Sequence, residues 1–70
     1  MITPLQAKRI RKKTGLSQTE FGEAYKLPTA TIRSWEQGVN VPREAAENYL
    51  LLIKKDPKLI ARMISKVKSP

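Results

Sequence analysis

Seventy residues without a cysteine or histidine exclude disulfides and thiolate or imidazole metal centres, leaving helical packing or self-association to stabilise so small a chain. Fourteen Lys and Arg against six Asp and Glu give a formal net charge of +8, which favours a polyanionic partner and salt-sensitive binding. The central apolar run, Tyr49 to Ile53, is far short of the ~20 residues that span a bilayer, and MITPLQAKRI has no apolar signal region. The expectation is one soluble, cytoplasmic, all-α domain over residues 1–70, with no metal and no cofactor.

Thr3 caps a first helix over about 4–13, with Pro4 at its first position and Gln6 completing a capping box; Gly15 stops it in a left-handed conformation. Leu5 and Ile10 are expected to face the core. Lys8, Arg9, Arg11, Lys12 and Lys13 occupy the other faces, with no acid before Glu20. Ser17-Gln18-Thr19-Glu20 is a second capping box, opening a helix over about 18–25 that carries Phe21, Ala24 and Tyr25. After Leu27-Pro28 a third helix covers about 29–37 and ends at Gly38. The connection of three or four residues between the second and third helices suits a helix-turn-helix and is too short for most other pairings.

Pro42 is expected to start a fourth helix over about 43–54, with Ala45, Ala46, Tyr49, Leu50 and Ile53 on its apolar side. Asp56-Pro57 opens a fifth over about 57–67, where Leu59, Ile60, Met63, Ile64 and Val67 recur at helical spacing between basic residues. Lys54, Lys55, Lys58, Arg62, Lys66 and Lys68 form a second basic concentration with only Asp56 among them, and Lys68 to Pro70 read as a frayed tail.

The third helix has two unlike faces. Ile32 and Trp35 suit packing on the rest of the chain. Thr29, Ala30, Arg33 and Ser34 can meet base edges: arginine bonds guanine bidentately, hydroxyls are less selective, and a threonine or alanine methyl touches the thymine methyl. Any one of these could be an ordinary solvent-exposed residue; their clustering on one face points to double-stranded DNA.

Gln18, Phe21, Thr31-Ile32, Trp35-Glu36 and Gly38 resemble the helix-turn-helix pattern of the Cro/repressor (XRE) family, over about Ile10 to Pro42. The resemblance implies a lambda-repressor-like five-helix fold and a transcription regulator. It places Thr29, Ala30, Arg33 and Ser34 at base-reading positions and Gln18, Gln37, Asn40 and Arg43 at phosphate-binding positions. It also implies a structural ion pair between Arg11 and Glu36. Three positions depart from the family pattern: Gly22 stands where alanine is usual, Lys26 where the turn glycine is usual, and Pro28 where a small polar cap is usual. PREAAENYLLLIKKDPKLIARM is similar to the ending of HigA- and MqsA-type antitoxin domains, which adds an antitoxin-like role to the expectation.

The fifth helix, with Leu59, Ile60, Met63, Ile64 and Val67, either covers the core of its own subunit or forms a homodimer seam. A twofold dimer would set two recognition helices one DNA turn (~34 Å) apart on a palindromic operator. Two functions therefore stand side by side: a dimeric repressor of antitoxin or phage-repressor type, and a protein-interaction module that holds a toxin or other partner. Catalysis is not expected, because scattered acids without His, Cys or a Gly-rich loop assemble no acid–base pair. RNA binding is disfavoured by four aromatics that form no stacking platform.

Overall fold

The computed structural model describes residues 1–67; Lys68, Ser69 and Pro70, read above as a frayed tail, lie outside the described residues. Among the described residues the chain forms five helices: α1 (Pro4–Thr14), α2 (Gln18–Tyr25), α3 (Thr29–Gln37), α4 (Ala45–Lys55) and α5 (Pro57–Ser65). None of them is long and apolar enough to cross a membrane.

The ends of the first three helices follow their local chemistry. Thr3 and Gln6 exchange the two hydrogen bonds of a capping box, and so do Ser17 and Glu20. Gly15 and Gly38 lie in the left-handed region at φ 80 and φ 77, where a Cβ would be strained. Asp56 caps α5 by accepting the Leu59 N–H at 3.2 Å.

The core gathers side chains from the N-terminal segment and the first four helices: Ile2, Ala7, Ile10, Phe21, Tyr25, Ile32, Trp35, Leu50 and Ile53. Phe21, Leu50 and Ile53 are the largest side chains wholly withdrawn from water, each worth ~1.5–3 kcal/mol of transfer free energy. Two tyrosines couple three elements. Tyr25 donates to Pro57 O at 2.8 Å, and Tyr49 donates to Tyr25 O at 2.7 Å, the two rings meeting edge-on at 6.4 Å. Burial pushes both phenols up, so they remain protonated donors at neutral pH.

Four expectations change. Leu5 does not face the core but is 55% exposed; Ile2 and Ala7 join Ile10 instead, because Ala7, three residues before Ile10, shares its side of α1 and Leu5, five before it, does not. The fourth helix starts at Ala45 and ends at Lys55, not 43–54. Pro42 is buried, and Glu44 at φ 47, ψ −108 breaks the helical path just after Arg43. Ala45 is exposed, leaving Ala46, Tyr49, Leu50 and Ile53 on the inner side. The fifth helix stops at Ser65 rather than Val67, with Lys66 and Val67 N–H groups closing 3-residue turns onto Met63 and Ile64.

Of its apolar stripe, Ile60 and Ile64 pack on the core, together with Ala61. Leu59, Met63 and Val67 face solvent, the last two more than half exposed. Leu51 and Leu52 of α4 are exposed as well.

Candidate nucleic-acid interface

Between α2 and α3 the chain reverses in three residues. Lys26 adopts the left-handed conformation (φ 56, ψ 46), and its N–H and that of Leu27 both turn back to Gly22 O. Gly22 is buried here with reason: a Cβ on it would lie 2.5 Å from Leu27 O and 3.3 Å from Ile32 Cδ1 and Thr29 Oγ1. The glycine and the lysine thus divide between them what one turn glycine would do. Gly22 supplies the close approach and Lys26 bears the positive φ, at ~1–2 kcal/mol. Pro28 presets the extended entry to α3 but offers no side-chain cap.

α3 buries Ile32 and Trp35. On the opposite face, Ala30, Arg33 and Gln37 are exposed and Ser34 half-buried, while Thr29, also half-buried, lies at the edge with its Oγ1 beside Gly22. Positions 29, 30, 33, 34 and 37 fall on one side of a 3.6-residue helix, so the candidate base-reading set forms a continuous strip. Beyond α3 the chain turns back onto one member of that strip, Ser34. The Val39 and Asn40 N–H groups approach Ser34 O at 3.0 and 3.4 Å, and Asn40 Nδ2 donates to Ser34 Oγ at 2.6 Å. Asn40, a candidate phosphate ligand, is therefore joined directly to Ser34, a candidate base reader. Sequence reasoning missed this link, and no local signal marks it, because the two residues are six apart with the Gly38 turn between them. Arg43, also exposed, lies on the loop before α4.

A polar cluster fixes the pose of α3. Arg11 Nε donates to Glu36 Oε2 at 2.7 Å and Nη2 to Oε1 at 3.0 Å, while Nη1 donates to Leu16 O at 3.0 Å. Gln18 Nε2 adds a third donor to the carboxylate at 3.2 Å. The Arg11 and Glu36 side chains are only 13% and 6% exposed. Burial alone would push the Glu36 carboxyl up. The hydrogen bonds from Arg11 and Gln18, with the charges of Arg11 and Lys8, hold it below its ordinary value. The hydrogen bond to Glu36 likewise raises the Arg11 guanidinium, which stays charged. One cluster thus ties the last turn of α1, the start of α2 and the last turn of α3 together. Gln18 still has a second amide N–H for a phosphate at the start of α2.

Among the described residues there is no cluster of acidic side chains that could hold a metal ion. Exposed cations lie within the strip, at Arg33, and on both sides of it in sequence, at Lys26 and Arg43, which suits a negatively charged ligand.

A family model described as helix-turn-helix matches residues 8–46, more than half of the chain. No curated protein and no solved structure matches it. The matched span begins just before Arg11 and ends just after α4 has begun, so it contains the whole α2–turn–α3 unit and the cluster that orients it. The chain belongs to the XRE-type helix-turn-helix family and is a DNA-binding transcription regulator of that kind.

Proposed function

We propose that this regulator is a sequence-specific, dimeric repressor acting on a palindromic operator in its own promoter, of the antitoxin or phage-repressor type. It would work in the cytoplasm of a bacterium or in phage infection. The observation that carries the reading is the α3 strip, in which Thr29, Ala30, Arg33 and Ser34 stand opposite the buried pair Ile32 and Trp35. In this reading Arg33 takes a guanine through O6 and N7. Ser34 and Thr29 contribute hydroxyls, and Ala30 leaves room for a thymine methyl. Gln18, Gln37, Asn40 and Arg43 hold the backbone on either side and set the register.

The dimer is supported by α5. Leu59, Met63 and Val67 stay exposed on a helix whose inner residues already cover the core. Pairing such stripes about a twofold axis would hide them and set two α3 helices about one DNA turn (~34 Å) apart. A second reading, a module that holds a toxin or another protein, is favoured by the exposed Leu51 and Leu52 on α4.

A mobility shift tests the choice, using the chain's own upstream DNA and an unrelated duplex at two salt concentrations. Specific binding should prefer the upstream DNA and weaken roughly 10³–10⁵-fold from 50 to 200 mM salt if six to ten phosphates are engaged. Arg33→Ala should remove the preference. Equal binding to both duplexes, unchanged by Arg33→Ala, would overturn the operator reading and leave the protein-binding module.

A further inference from the structure

On the other side of α1 from α3, an open groove of about 730 Å³ runs between α1 and α4. None of its lining residues comes from α2 or α3. Its floor includes the buried side chains of Ile2 and Ile10, and Leu51, 46% exposed, forms a wall. Its rim is cationic: Arg9, Lys12 and Lys13 on α1 and Lys54 on α4. All four are exposed, and among the described residues none has a carboxylate within 4.0 Å. Glu47 is the one acid of the lining.

We infer that this groove docks an acidic amphipathic helix of a partner protein. Three features select that occupant. The α1 wall from Gln6 to Lys13 and the α4 wall from Glu47 to Lys54 are each about two helical turns, ~10 Å, long. Two turns are what a docked helix needs to insert apolar side chains at i, i+3 or i+4, and i+7. The rim then demands acids flanking that apolar row, since four unpaired cations around a partly desolvated groove repel any basic segment. A second copy of this chain fails that demand, because the free stripe of its α5 lies among Lys58, Arg62 and Lys66. A phosphodiester backbone would satisfy the rim but leave the apolar floor unused.

The inference is independent of the operator reading, and the test keeps the two apart. The full chain, labelled with ¹⁵N, is titrated with a synthetic helix of about four turns that carries Leu at i, i+3, i+4 and i+7 and Glu between them. Amide shifts should concentrate on residues 6–13 and 47–54. Leu51→Glu should weaken binding about tenfold, as expected for losing half of a buried leucine while adding a like charge, and Lys54→Glu should weaken it similarly. Both variants should keep the circular dichroism and the duplex mobility shift of the parent. Three outcomes would overturn the inference. One is no saturable shift at millimolar peptide. Another is shifts confined to α3 and residues 38–43, meaning that the peptide merely mimics a polyanion. The third is shifts in the groove with dodecanoate but not with the peptide, which would make the occupant a small anionic amphiphile.

Discussion

Asn40 reaches back six residues to donate a 2.6 Å hydrogen bond to Ser34 Oγ, so the loop after α3 and the exposed strip of α3 form one polar unit. Asn40 occupies one of the two lone pairs of the Ser34 hydroxyl and leaves its proton free to donate to an acceptor such as guanine O6, guanine N7 or a phosphate oxygen. Ser34→Ala and Asn40→Ala should therefore each weaken operator binding by ~1–2 kcal/mol, and the double variant should lose less than the sum. Thermal unfolding should move little, because Asn40 is exposed and Ser34 only half-buried. Additive losses in a double-mutant binding cycle would show that the two side chains act separately.

The Arg11–Glu36 pair predicts an acid-sensitive orientation of α3. Glu36 is held below its ordinary value in the folded state, so its stabilisation is complete above the normal carboxylate range. That stabilisation is lost as pH falls through the depressed folded value. Glu36→Gln should flatten the acid limb of stability between about pH 5 and pH 2. Because it leaves Arg11 nearly buried without a counter-charge, it should also cost ~3 kcal/mol at pH 7. Urea denaturation at pH 7 and pH 3 checks both effects, and an equal loss in parent and variant on acidification would assign the acid limb to other carboxylates.

Gly22 and Lys26 make opposite predictions in one turn. Gly22→Ala would gain up to ~1 kcal/mol of helix propensity but place a Cβ 2.5 Å from a backbone oxygen, so the turn must open. A net loss of ~1–3 kcal/mol is expected, with weaker DNA binding because α3 shifts with the turn. Lys26→Gly relieves a positive φ and should gain up to ~1 kcal/mol, raising Tm by roughly 4–8 °C for a chain of this size. Calorimetry on the two variants reads the signs directly.

Met63 tests the role of α5. It is 57% exposed, so Met63→Lys should change the stability of a monomer by no more than ~0.5 kcal/mol. If α5 pairs two copies, the same substitution should shift the species in light scattering from dimer to monomer and weaken operator binding. A monomeric parent at micromolar concentration would remove α5 from the assembly.

The local features of this protein were legible in its sequence because their chemistry acts over three or four residues. The boxes at Thr3 and Ser17, the left-handed stops at Gly15 and Gly38, the three-residue reversal at Lys26 to Pro28, and the division of α3 into an Ile32–Trp35 face and a Thr29–Arg33 face all belong there. The pairing of Arg11 with Glu36, 25 residues apart, was legible only through the family pattern, since no short-range rule links them. Tertiary packing decided the rest. Packing buried Ala7 with Ile10, three residues apart on one side of α1, and left Leu5, five residues from Ile10 and off that side, at the surface. The positive φ of Glu44, next to the buried Pro42, delays α4 to Ala45, which propensity does not register. The Asn40–Ser34 bond depends on how the chain turns after Gly38, which no residue pattern marks, and the basic-rimmed groove joins α1 to α4, residues distant in sequence that meet only once the helices have packed.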